Sequence, residues 1–299
     1  MKRITGRRAP SARDRAVSRV LWITLALNIV VSGLKLVFGL LSGAVSMVAD
    51  GFPSLLDAAG NIVGLVGIHA ARKAPDADHP YGHRKFEALA SLAISILLFI
   101  SCYEIVTAVF SRLGGSHGIQ PTPATFAVMG VTLVINVFVT RFEHREGERL
   151  QSMILKADAK HTQSDVFASL AVVGSLVAGA LEFPVVDLVV AAGLAGLIAY
   201  SGFQIVAGAF SVLSDSQVVD PHLVATLATQ EEEVAHVHHV RSRGLPDDIH
   251  IDFHLHVSPL MTVARAHSMA HRAADRVKAG IPGVTDVVVH IEPDDEHEV

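Results

Sequence analysis

Cysteine is almost absent. The 299 residues contain one, Cys102, inside an apolar run, so neither a disulfide framework nor a thiolate zinc cluster can form, and any metal site must use His, Asp and Glu. Charge is scarce as well: 18% of residues are charged and 51% hydrophobic, outside the ordinary soluble range, so a membrane protein is expected. No nucleophile elbow, phosphate loop or zincin motif occurs, and nothing points to an enzyme. The long N-terminal apolar run is followed by no small-residue cleavage site, which reads as an anchor and not a removable signal peptide. What positive charge there is begins early, with Lys2, Arg3, Arg7, Arg8, Arg13, Arg15 and Arg19. A basic arm directly before an apolar helix marks the cytoplasmic flank of a membrane span and argues against a nucleic-acid partner.

Apolar stretches long enough to cross a bilayer of ~30 Å, about 20 helical residues, occur at Val20 to Leu41, Ala44 to Ala70, Phe86 to Phe110, Ala124 to Thr140, Met153 to Leu181 and Val185 to Ala207. Six spans place both termini on one side. Arg72, Lys73, Arg84 and Lys85 fall between spans two and three, and Arg141, Arg145, Arg149, Lys156 and Lys160 between four and five. The opposite connections are nearly free of positive charge, which predicts cytoplasmic termini; the expected location is the plasma, or inner, membrane. The pattern changes after residue 213. Helix Pro221 to Glu233, strands Val234 to Arg243 and Ile249 to Val257, helix Thr262 to Ala279 and strand Val284 to Ile291 give the order αββαβ. The expected fold is an α-helical bundle of six transmembrane helices followed by a small ferredoxin-like α/β cytoplasmic domain with its helices on one sheet face. The expected divisions are a basic arm over 1–19, a membrane domain over 20–213 and a metal-binding domain over 214–299.

Ionisable residues inside the apolar runs are the first functional signal, because a charge in hydrocarbon costs at least ~2.5–3.5 kcal/mol. Span two carries Asp50 and Asp57; span five carries Asp158, His161 and Asp165. His161 and Asp165 are i,i+4, so an imidazole nitrogen and a carboxylate converge on one helical face, which is half a tetrahedral zinc site. The competing reading is an ion pair that merely holds the bundle together. Lys35 lies near the outer end of span one, where its stem is expected to snorkel to the interface, and Asp187 reads as a capping or interfacial group.

Outside the spans, Asp76-Ala-Asp-His79-Pro-Tyr-Gly-His83 offers two imidazoles and two carboxylates, either a surface metal site or a polar turn. Eleven of the 17 histidines follow Asp215. In Ile249 to Val257 the odd positions are apolar and the even ones are His250, Asp252, His254 and His256, which period two places on one sheet face. His267 and His271 share a helix face, His236 and His238 alternate on the first strand, and the third strand ends His290-Ile-Glu292. Nitrogen and oxygen ligands without sulfur suit zinc first, and iron, manganese, cobalt or cadmium less selectively.

These segments resemble the cation diffusion facilitator family over nearly the whole chain. Val45-Ser-Met-Val-Ala-Asp50-Gly-Phe-Pro-Ser-Leu-Leu-Asp57 is similar to the family's second span, Asp78-His-Pro-Tyr-Gly-His83-Arg-Lys-Phe-Glu87 to the following loop, Asp158-Ala-Lys-His161-Thr-Gln-Ser-Asp165 to the fifth span, and Val288-Val-His290-Ile-Glu292-Pro to the end of the cytoplasmic domain. The resemblance implies a homodimeric exporter that exchanges divalent metal ions, zinc foremost, for protons. It implies Asp57, His161 and Asp165 as transport ligands, Asp76, His79 and His83 as a loop site, and His238, His254, His267, His290 and Glu292 as cytoplasmic ligands, with Asp50 and Asp158 as supporting polar groups. Pro53 departs from the family, which usually has His, Asp or Asn four residues before the span-two aspartate. That departure keeps open an alternative, a non-transporting metal-responsive membrane scaffold.

Overall fold

The computed structural model of the chain describes residues 11–42, 45–113, 123–180, 184–231 and 233–294. They form two compact units, Met1–Ala209 and Phe210–Val299.

The first unit is helical. Six long helices follow one another: α1 Ala12–Ser42, α2 Val45–Ala71, α3 Phe86–Leu113, α4 Pro123–Arg149, α5 Met153–Ala180 and α6 Pro184–Leu213. Among the described residues, the segments Ala12–Phe38, Phe86–Glu104 and Ala192–Leu213 are long and apolar enough to cross a membrane. Helix α4 runs nine residues beyond the apolar stretch ending at Thr140, to Arg149. Lys156 and Lys160, expected in the connection before span five, lie on α5 itself.

The unit is turned inside out relative to a soluble protein. Trp22, Val30, Val37 and Phe38 of α1, Val66 of α2, Ile96 of α3, Val134 and Phe138 of α4 and Phe203 of α6 are exposed. Thr24, Asn28, Ser32 and Lys35 of α1, Asp57 and Asn61 of α2, Ser91 and Ser95 of α3, Asn136 and Glu143 of α4, and Asp158 and His161 of α5 are buried. Apolar outside and polar inside is the arrangement that lipid rewards and water penalises. A smaller apolar core, built on Leu21, Ile68, Ile94, Leu98, Ile154 and Ile198, closes one end of the interior.

Two features draw that end together. Gly67 lets α2 meet α3 so closely that a Cβ on it would lie 2.2 Å from the Ala90 Cβ, a small-residue crossing of the kind that membrane helices use. Arg13 of α1 donates 3.0 Å hydrogen bonds to both Glu87 oxygens and reaches the Leu150 and Gln151 carbonyls at 2.8 and 3.0 Å. Glu87 also accepts from the Ser152 hydroxyl at 2.7 Å and the Met153 N–H at 3.1 Å, so a fully buried carboxylate ties the first turns of α1, α3 and α5.

The second unit has the order αββαβ: α7 Pro221–Ala228, β1 His236–Leu245, β2 Asp248–Val257, α8 Val263–Gly280 and β3 Val284–Pro293. Helix α7 is five residues shorter than its sequence pattern; it starts at an Asp220 cap with Pro221 in the first turn, as capping chemistry favours. The sheet order is β1-β2-β3, with β1 antiparallel and β3 parallel to β2. Odd β2 residues, including Ile251, Phe253 and Leu255, pack with Met269, Ala273 and Val277 of α8 and Val224 and Ala228 of α7. Both helices therefore cover one sheet face, and the even residues occupy the other. Glu231, almost buried, is bound by Arg272 and by Arg276 at 3.0 Å, and the Arg272 hydrogen bond holds its carboxyl below the usual range.

Candidate metal sites

In the helical unit α2 and α5 converge on one polar point. Asp57, His161 and Asp165 place ligand atoms within 4.8 Å of one another, with His161 Nε2 3.2 Å from Asp57 Oδ1. The His161 side chain is 0% exposed, yet neither ring nitrogen has a hydrogen-bond partner of acceptable geometry, and Asp165 Oδ2 lacks one as well. Buried polar atoms are nearly always satisfied, and the groups around this imidazole are carboxylates. A divalent cation satisfies nitrogen and carboxylates together. Lys35 is buried at 7% exposure, not snorkelling, and its charge acts on Asp165; interior carboxylates offset a cation that the interface would otherwise solvate. The side chains of Asp50, Pro53 and Asp187 lie outside the described residues.

Asp158 stands beside this triad and is held by a different set of groups. Asn61 Nδ2 donates to Asp158 Oδ2 and to Thr24 Oγ1 at 3.1 Å, while Asn28 donates to Asn61 Oδ1 at 2.9 Å. Gly60 leaves the room: a Cβ there would lie 3.1 Å from Asp158 Oδ1 and 3.7 Å from the His161 ring. The Glu143 carboxyl pairs with Asp158. Sequence reasoning missed Glu143, because it falls beyond the apolar stretch of span four; the helix carries on and buries it.

In the loop after α2, Asp76 Oδ1 accepts from the Asp78 and His79 N–H groups at 3.1 and 2.8 Å. That turn brings His79 Nδ1 to 3.4 Å and His83 Nε2 to 3.3 Å from the carboxylate. The three ligand atoms again lie within 4.8 Å, and the His79 backbone N–H is the main cause that lowers the Asp76 pKa. Gly82 occupies φ +86°, a left-handed turn position that glycine takes without strain, and it sends the chain back so that His83 is buried.

In the α/β unit, strand register assembles the histidines. His238 pairs across with His254, His254 with His290, and His256 with Glu292. Glu292 is the hub, 2.8 Å from His238, 2.7 Å from His254, 3.2 Å from His256 and 3.4 Å from His290. The hydrogen bond from His238, then that from His254, lowers its pKa to about 2. Three overlapping triads are possible: His238, His239 and His254; His238, His256 and Glu292; His254, His290 and Glu292. His256 joins as an even β2 residue, a signal period two already carries. His239 joins because the register shifts between His238 and Arg241 and its φ is 49°, which strand periodicity does not reveal. His267 does not join. It is exposed beside His271 on α8, ring centroids 4.5 Å apart, and α8 covers the opposite, apolar face of the sheet.

Comparison with known proteins shows what the chain is similar to. The model of the cation efflux transmembrane domain matches residues 21–214, and that of the cation efflux protein cytoplasmic domain matches 219–294. The chain belongs to the cation diffusion facilitator family. It is 27% identical over 278 residues to the magnetosome protein MamB of Magnetospira sp. (strain QH-2), covering 92% of this chain and 94% of that one. It is also 27% identical over 294 residues to the manganese efflux system protein MneP of Bacillus subtilis, covering 95% and 98%. Metal tolerance protein 2 of rice is 28% identical over 309 residues, covering 92% and 78%. This cation diffusion facilitator is thus an integral membrane transporter of metal cations with a C-terminal cytoplasmic domain built on a small sheet.

Proposed function

We propose that the chain exports a divalent transition-metal ion, zinc before manganese, iron, cobalt or cadmium, in exchange for protons, through Asp57, His161 and Asp165. The observation that carries this reading is the buried His161, whose ring nitrogens make no hydrogen bond of acceptable geometry and lie beside two carboxylates on α2 and α5. The metal is the substrate. Its binding needs neutral imidazole and ionised carboxylates, so protons and metal compete for the same atoms, and a proton gradient can discharge the ion. In this reading all six long helices span the plasma, or inner, membrane, both termini face the cytoplasm, and two copies form the working dimer. Asp158 and Asp50 support the ligands, Asp76, His79 and His83 hold metal at the loop, and the Glu292 cluster holds cytoplasmic metal. The domain divisions are those of the sequence: 1–19, 20–213 and 214–299.

Pro53 favours one other reading, a scaffold that binds metal in its cytoplasmic domain without transporting it. Reconstitution in liposomes with an enclosed metal-sensitive dye and an imposed pH gradient separates the two. Gradient-dependent flux of zinc, iron, manganese or cobalt that Asp165→Ala abolishes supports export. Absence of flux for every ion, with metal still bound by the cytoplasmic domain, supports the scaffold.

A further inference from the structure

Helix α4 carries a polar stripe that the three metal ligands leave unused. Thr132, Asn136, Thr140 and Glu143 follow at spacings of four, four and three, which keeps them on one face over roughly 16 Å of helix. Asn136 Oδ1, Thr140 Oγ1 and Glu143 Oε1 are enclosed without a hydrogen-bond partner. Helix α4 packs against α1 and α5. From α5, Thr162 donates to Glu143 Oε2 at 3.4 Å and Asp158 sets its carboxyl against that of Glu143; from α1, Thr24 reaches the same carboxyl. The charge of His161 also acts on Asp158.

The Glu143 carboxyl is therefore touched by two hydroxyls and a second carboxyl. Two carboxylates in contact repel unless a proton or a cation lies between them. The surroundings favour the proton, because Asn61 turns an N–H toward Asp158, which suits an anion or a carboxyl and opposes a metal ion.

We propose that Glu143 carries one of the exchanged protons, on a carboxyl pair with Asp158 that is separate from the metal ligands and reached along the polar stripe of α4. This rests on the exchange reading above. Asp158 is one helical turn from His161, so a divalent charge arriving at the metal ligands makes ionisation of the pair more favourable, and the shared proton leaves as the metal binds.

The test measures protons released per metal bound by the full-length chain in detergent, in weakly buffered solution with a pH indicator, beside calorimetric metal binding. Glu143→Gln is expected to bind the same number of zinc ions as the unaltered chain and to release about one proton fewer per ion. An unchanged proton count overturns the proposal, and so does the loss of one bound metal, which would make the pair a metal site. No proton release by the unaltered chain defeats the exchange reading itself, a result distinct from failure of this proposal alone. Infrared difference spectra of the unaltered chain, with and without zinc, guard against a variant that misfolds. A protonated-carboxyl band that vanishes on zinc addition is expected, and its persistence overturns the proposal.

Discussion

His161 Nε2 approaches Asp57 Oδ1 to 3.2 Å across the contact between α2 and α5, without the geometry of a hydrogen bond. Nearness without alignment is what separates a ligand pair from an ion pair. Two groups paired for stability orient toward each other, whereas two groups that share an ion orient toward a point between them. Asp165, one turn along α5, brings a third ligand atom within 4.8 Å of the other two.

If the proposed transport role of this pair holds, removing either partner affects transport more than folding. His161→Ala and Asp57→Asn are each expected to reduce metal affinity by more than the ~10–100-fold that loss of an outer-shell partner costs. Both variants should still elute as folded protein. Calorimetric titration with zinc checks this; affinity within the error of the unaltered chain would mean that the pair is structural.

Glu292 touches four imidazoles and His267 touches none of them, so their truncations should differ. In an Asp57→Asn background, chosen to remove any contribution of the proposed transport site, Glu292→Ala is expected to weaken zinc binding at least ~10-fold and His267→Ala to leave it unchanged. Zinc titration with a competing chelator reads both. Equal losses would require His267 to reach the cluster from a second copy of the chain.

His250 gives the sheet a pH dependence of its own. Its hydrogen bond with Asp248, aided by the charges of Asp248 and Asp286, raises its pKa above the ordinary value against the opposing effect of burial. A raised folded pKa stabilises the protonated form, so this contribution is complete below about pH 6.5 and is lost as pH rises through the folded value. In metal-free protein, the gap in melting temperature between the unaltered chain and His250→Asn should be widest at acid pH and close toward pH 8. A gap that widens with pH would reverse the assignment.

Gly67 sets the spacing of α2 and α3. Because its added Cβ would stand 2.2 Å from that of Ala90, Gly67→Ala must push the helices apart, at about 1–3 kcal/mol for an overpacked contact. Ala90→Gly should recover part of the loss in the double variant. Thermal unfolding in detergent measures the cycle, and purely additive losses would place the strain elsewhere.

The elements legible in the sequence were those that one period describes. Alternation along Ile249 to Val257 fixes which β2 residues join the core and which face the histidine cluster, and the i,i+4 pair His161 and Asp165 places two ligands on one face of α5. The rest depended on neighbours that hydropathy cannot see. Glu143 lies past an apolar stretch whose helix continues, and the buried Lys35 acts on Asp165 of another helix. His239 reaches His238 and His254 through a register shift, and the exposure of His267 follows from which face of α8 takes the core.

In the proposed transport reading Pro53 bears on which ion is carried. It lies within α2, four residues before Asp57, where proline supplies no ligand and removes the N–H that would otherwise bond the Ala49 carbonyl. In that reading the ion would have three side chains and a remaining place for water or backbone oxygen. Such a set discriminates less strictly than four side chains arranged tetrahedrally, and an added imidazole should favour zinc over harder ions. Pro53→His is therefore expected to raise zinc flux relative to manganese flux in the same liposomes. An unchanged ranking of zinc, iron, manganese and cobalt would show that Pro53 has no part in selectivity and that the remaining ligands determine it.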